Sequence, residues 1–167
     1  MGQLQHRPNA AQRVLHLVTR TRAGSWFFAR TLHHLDWPVL RLSRGRHSLT
    51  SIGIGLPVVM VTTIGAKSGR PRSLPLAVIP DGDNVILIAS NFGQKQHPAW
   101  YYNLRAHPEV QLSYEGHTTT YTAHETSGEE RKRCWQRAVD LYSGYACYEK
   151  RAGLRQIAVF LLTPHAK

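Results

Sequence analysis

A chain of 167 residues with a formal net charge of +11 is long enough to bury one sizeable core and is built to meet an anionic partner. The charge is uneven, because residues 1–50 hold eight arginines against Asp36 alone and so carry +7 of the +11. Composition excludes more than it assigns: no apolar run reaches the roughly 18 residues of a membrane-spanning helix, the start from Met1 to Arg7 lacks the apolar core of a secretory signal, and Cys134 and Cys147 stand at no metal-ligand spacing.

Two cysteines without ligand spacing read as reduced, packed thiols. The ten histidines are scattered, and the adjacent pair His33-His34 points to different sides of a helix, so no metal site is expected. The expected location is the cytoplasm, with peripheral attachment to the inner face of the cell membrane left open.

In chain order, residues 11–35 interleave Val14, Leu15, Leu17, Val18, Trp26, Phe27, Phe28, Leu32 and Leu35 with Arg13, Arg20, Arg22 and Arg30. This pattern predicts an amphipathic basic helix or helix pair, broken near Gly24-Ser25. Such an arm covers the following domain, lies on a membrane surface, where a basic face opposite Trp and Phe is the expected composition, or does both. Residues 41–56, with Gly45, Gly53 and Gly55, read as an irregular connector or lid. Residues 1–50 are therefore expected to form an arm and connector, and residues 51–167 the main domain.

The β-branched run from Val58 to Ile64 predicts a strand, which stops at Gly65-Ala66-Lys67-Ser68-Gly69-Arg70-Pro71-Arg72 and resumes from about Arg72 to Ile79. The intervening loop gathers Lys67, Arg70 and Arg72 with the Ser68 hydroxyl and two glycines that let backbone N–H groups approach an anion. Ala66 precedes the lysine where a P-loop requires glycine, so a mononucleotide-kinase loop is excluded. The loop either binds a phosphate or carboxylate or is a hairpin turn whose charges face water.

Pro80-Asp81-Gly82-Asp83-Asn84 predicts a tight turn into a third strand, Val85 to Ala89, followed by the polar stretch from Ser90 to His97. A helix is expected from Pro98 to about His107-Pro108, with proline in its first turn. Two more strands, Glu109 to Tyr114 and Thr118 to His124, are joined at Glu115-Gly116-His117. Ser127-Gly128-Glu129-Glu130 reads as a capping box before a helix striped by Trp135, Ala138, Val139 and Leu141 or Tyr142. Tyr142, Tyr145 and Tyr148 follow at three-residue spacing, and Ile157 to Leu162 predicts a last strand. At least six short strands, interrupted by two helices rather than alternating with them, predict an antiparallel barrel with two to three covering helices beside the N-terminal one.

The order of motifs now carries a resemblance. Thr62-Thr63-Ile64-Gly65-Ala66-Lys67-Ser68-Gly69, then Pro75-Leu76, then Ala89-Ser90-Asn91-Phe92-Gly93, then Pro98-Ala99-Trp100-Tyr101-Tyr102-Asn103-Leu104-Arg105 resembles the deazaflavin-dependent nitroreductase family of actinobacteria. The likeness runs from Pro57 to Pro164, roughly two thirds of the chain. It implies the split β-barrel fold shared with FMN-binding oxidases and, as coenzyme, F420, a deazaflavin with a phosphate and an oligoglutamate tail. By resemblance, Lys67 and Arg72 hold the anionic tail, joined by Ser68, Gly69, Arg70, Pro75 and Leu76. Ser90, Asn91 and Gly93 lie against the deazaflavin ring, and Trp100 and Asn103 close the other side. Tyr145 is implied as proton donor or substrate clamp, flanked by Tyr142 and Tyr148, and Ser90 as a second catalytic group. Taken by itself, however, a tyrosine stripe at helical spacing reads as core. This chain departs from many relatives at Ala66 and from some at Ala77 and Asn91, which implies that tail binding is weaker or is shared with Arg70 and Lys95.

The implied reaction is hydride transfer from reduced F420 to an electron-poor acceptor such as a quinone, enone or nitro compound, with a lipophilic quinone as the natural guess. The alternatives are an FMN-dependent oxidoreductase of the same fold and a non-catalytic F420 or lipid binder. Nucleic acid is not an expected partner, since only charge suggests it. A monomer and a homodimer both remain open.

Overall fold

The computed structural model describes residues 56–165, so the basic arm and the 50/51 domain boundary lie outside the described residues. Seven antiparallel strands form one sheet: β1 (Val58–Ile64), β2 (Pro71–Ala77), β3 (Ile79–Asp81), β4 (Asn84–Ile88), β5 (Glu109–Tyr114), β6 (His117–Glu125) and β7 (Val159–Pro164). Among the described residues three α-helices accompany them, α1 (Ala99–Ala106), α2 (Gly128–Leu141) and α3 (Gly144–Ala152). The lateral order is β2-β1-β5-β6-β7-β4-β3. Because β2 at one edge and β3 at the other are separated only by Val78, the sheet has to curl until its edges approach, which is the split-barrel form.

One expected strand becomes two. The run predicted from Arg72 to Ile79 pairs with β1 only as far as Ala77, opposite Val58, and from Ile79 onward pairs with β4. Val78 marks the transfer, its N–H bonded to the Pro57 carbonyl at 2.9 Å. The chain stays extended throughout, so no break in composition reveals the change of partner. The capping box also differs: Ser127 stands at the start of α2 in extended backbone but makes no side-chain cap bond, and its carbonyl accepts from the Arg131 N–H at 3.1 Å.

Alternation in β4 and β7 builds two hydrophobic cores back to back. Val85 and Leu87 of β4, with Phe160 and Leu162 of β7, face the barrel interior alongside Val59, Val61, Val110, Leu112 and Tyr121. Ile86 and Ile88, with Val159 and Leu161, face the other way, under α2 and α3, and meet Cys134, Ala138, Tyr142, Tyr145 and Tyr148. Both faces of these strands are buried, which explains why their sequences are continuous apolar runs. Each large side chain so buried contributes about 1.5–3 kcal/mol to folding. Helix α1 adds Trp100, Tyr101 and Leu104 to the barrel core, and the lack of a side chain at Gly144 makes room for the Tyr142 ring. Cys134 and Cys147 are free thiols, and no described helix is long and apolar enough to cross a membrane.

Candidate functional site

The glycine loop between β1 and β2 is folded on itself and pinned to α1. Gly65 N–H donates to the Arg70 carbonyl at 2.9 Å and Gly69 N–H to the Gly65 carbonyl at 2.8 Å, with Gly69 at φ +62, where glycine is favoured. Asn103 of α1 clamps the loop from below. Its Oδ1 accepts from the Ala66 N–H at 3.0 Å, and its Nδ2 donates to Thr63 Oγ1 at 3.0 Å, Thr63 itself being fully buried. Lys67, Ser68 and Arg70 are left exposed at the tip, with Arg72 beside them at the start of β2.

Among the described residues, no carboxylate lies within ion-pair distance of Lys67, Arg70 or Arg72, and the amides of Lys67 and Ser68 donate to no described acceptor. Three uncompensated cations around free backbone N–H groups suit an anion with a phosphate or several carboxylates.

A second element, Ser90–Gly93, follows β4 as a single 3-10 turn. Asn91, Phe92 and Gly93 have φ of 46°, 55° and 77°, three left-handed residues in succession. Asn91 Nδ2 donates to the Gln96 carbonyl at 2.9 Å, while Phe92 packs edge-on against Tyr148. Gly93 is buried against α3, where a Cβ would lie 2.7 Å from both the Tyr148 carbonyl oxygen and Arg151 Cβ.

Arg155, in the α3–β7 connection, binds this segment from behind. Its guanidinium donates to the carbonyls of Ser90 (2.7 Å), Gln94 (2.8 Å) and Ala89 (3.1 Å) and approaches His97 Nδ1 at 3.4 Å. The His97 ring stacks on Tyr101 of α1, centroids 4.0 Å apart. Burial, and then the Arg155 charge, hold the His97 pKa below its ordinary value, so the ring is neutral at neutral pH. Sequence reasoning missed Arg155, His97 and Tyr101. The position of His97 directly before Pro98 is the one signal that could have marked it as part of a helix entry.

Helix α1 thus touches both elements, the glycine loop through Asn103 and the Ser90 segment through the Tyr101–His97 stack. The remaining expected site residues lie apart from this face to different degrees. Pro75 and Leu76 are on β2 opposite Met60 and Val59, with Leu76 packed on the barrel core. Trp100 is a core residue whose ring lies 6.1 Å from Phe160. Tyr142, Tyr145 and Tyr148 are buried together in the second core, with the Tyr142 and Tyr148 hydroxyls hydrogen-bonded at 3.1 Å. Burial pushes the Tyr145 and Tyr148 phenols well above their ordinary value, with Tyr142 adding to it. The turn meets this cluster through Phe92 and Gly93, both against Tyr148.

Comparison with known proteins gives the family and the fold. The sequence profile of the F420H2-dependent quinone reductases matches residues 40–164. An F420H2-dependent quinone reductase of Mycobacterium tuberculosis is 32% identical over 110 residues, 64% of this chain and 73% of that protein. Another protein of the same organism, provisionally named for the same activity, is 33% identical over 109 residues, 65% of this chain and 91% of that protein. Among solved structures, an F420-H2-dependent reductase is 38% identical with a TM-score of 0.58, covering 64% of this chain and 93% of that one. A structure described as a domain-swapped dimer is 34% identical with a TM-score of 0.61, covering 76% and 97%.

Proposed function

We propose that this chain, which belongs to the F420H2-dependent quinone reductase family, seats the anionic tail of F420 on the Lys67 loop and serves hydride transfer to a quinone. The observation that carries the reading is the glycine loop, with Lys67, Arg70 and Arg72 lacking carboxylate partners among the described residues and with two free amides. When bound, the deazaflavin supplies two-electron hydride chemistry. Lys67 and Arg72 attract and orient the tail, and Asn103 anchors the loop beneath them by accepting the Ala66 N–H. Ser90 and Asn91 present polar groups to the ring, and Ser90, half-buried at the head of the turn, is the group we assign to hydrogen bonding or proton delivery there. Tyr145, neutral and enclosed in the helical core, supports that turn through Tyr148.

The relatives are named for F420, and none of this favours the FMN alternative. In a titration followed by coenzyme fluorescence, the protein should bind F420 saturably and FMN weakly if at all. Lys67→Ala should weaken F420 binding about two- to fivefold, the range for one exposed charge-assisted contact. Equal affinity of wild type and variant would remove the loop from the site, and preferential FMN binding would overturn the reading. Binding without quinone turnover would leave the non-catalytic alternative.

The acceptor we assign is a lipophilic quinone reached from a membrane surface by the arginine-rich residues 1–50. Intact protein should then sediment with anionic phospholipid vesicles and a chain lacking residues 1–50 should remain in the supernatant; co-sedimentation of both would count against it. Of the monomer and homodimer, the domain-swapped neighbour supports the dimer.

A further inference from the structure

We propose that Arg155 is a positioning residue for the coenzyme, the clamp that holds the left-handed turn Asn91–Gly93 in its ring-facing shape. Its guanidinium gathers carbonyls from both ends of the segment, Ala89 and Ser90 before the turn and Gln94 after it, at 3.1, 2.7 and 2.8 Å. The turn needs such a clamp. Asn91 and Phe92 hold φ of 46° and 55°, a conformation that side-chain-bearing residues keep only where their surroundings over-determine it. Three convergent donors from one rigid planar group provide that over-determination, which a flexible ammonium could not.

The same group ties the turn to α1. A guanidinium has no acceptor, so His97 Nδ1 takes the hydrogen bond from Arg155 and the ring proton resides on Nε2. The His97 ring lies flat on Tyr101, and two residues further along α1 Asn103 holds the anion loop. Among the described residues, no carboxylate pairs with Arg155. Its positive charge is met by carbonyl dipoles and stands directly behind Ser90. One side chain thereby sets the turn and fixes it relative to the helix that sets the tail loop.

The inference rests on the reading that Ser90–Gly93 faces F420, and the test separates the two. Arg155→Lys keeps the charge without the planar fork, and Arg155→Ala removes both. Both variants should bind F420 roughly tenfold more weakly, the loss expected when charge-assisted bonds to a positioning group are removed. In steady-state assays the KM for the coenzyme should rise with it, while the KM for the quinone stays within about twofold. Added millimolar guanidinium should restore part of the F420 affinity of Arg155→Ala and none of that lost in Lys67→Ala. A role confined to global stability would show lower melting temperatures without rescue of binding.

Should Arg155→Ala fail to fold, Arg155→Lys decides through the KM split alone. Wild-type binding of F420 with undiminished affinity in Arg155→Lys and Arg155→Ala would overturn this inference and leave the function standing. Absence of F420 binding in the wild type would overturn both.

Discussion

Replacing Gly93 with alanine should destabilise the protein by about 2–4 kcal/mol, the sum of a left-handed backbone cost of about 1–2 kcal/mol and an overpacking cost of similar size. At φ +77 an alanine is already strained, and its Cβ would fall 2.7 Å from the Tyr148 carbonyl oxygen and from Arg151 Cβ. Neither neighbour is the free end of a side chain, so α3 or the turn has to move. Gly82 provides the internal control. It has φ +65 and nothing within 4 Å of where a Cβ would be, so Gly82→Ala should cost only the backbone term, about 1–2 kcal/mol. Denaturant melts of the two variants compare the effects directly. Equal losses would mean that the turn does not press on α3. The Gly93 variant should also bind F420 less well, because relief of the clash displaces the segment that carries Ser90 and Asn91.

Asn103→Asp should weaken F420 binding by roughly 30-fold, or about 2 kcal/mol, the energy of one added negative charge about 8 Å from an anion at an effective dielectric of about 20. The substitution is nearly isosteric. A carboxylate oxygen still accepts the Ala66 N–H, and the other oxygen can accept from the Thr63 hydroxyl where Asn103 Nδ2 now donates to it. What changes is the field beneath Lys67 and Ser68. The loss should shrink as salt is raised, because the repulsion is screened, and the melting temperature should move little. Asn103→Ala, which lacks the charge but abandons both bonds, separates the two causes. If Asn103→Asp binds F420 as the wild type does, the tail does not reach this loop.

Much of the barrel could be read from the chain, and the reasons are local. The run Val58–Ile64 is β-branched apart from Met60 and alternates between buried and half-buried from Val59 onward, so strand type and extent are both explicit. The join at Glu115-Gly116 is equally plain, since β5 and β6 pair across it from Tyr114 to His117. The exchange of partners at Val78 was not legible, because an extended chain gives no composition signal when it leaves one neighbour for another.

At the site, the basic glycine loop announces itself by charge and glycine together, and its family expectation of an F420-dependent reductase holds. Arg155 does not announce itself. A lone arginine between a helix and a strand reads as a solvated charge, and only the fold brings Ala89, Ser90 and Gln94 around it. The tyrosine stripe shows the opposite difficulty. Three-residue spacing is the same for a core as for a ligand wall, and here the three rings bury one another.

The double-faced strands β4 and β7 have a thermodynamic meaning for ligand binding. Because Val85 and Leu87 belong to one core while Ile86 and Ile88 belong to the other, neither core can melt without exposing the staves that complete its neighbour. The described domain should therefore behave as one cooperative unit despite its two apolar compartments. The segment Ser90–Gly93 springs directly from the end of β4. A coenzyme molecule held there draws on a linkage that runs through both compartments, so its binding free energy is returned as resistance of the whole fold to unfolding rather than as local stiffening of a loop.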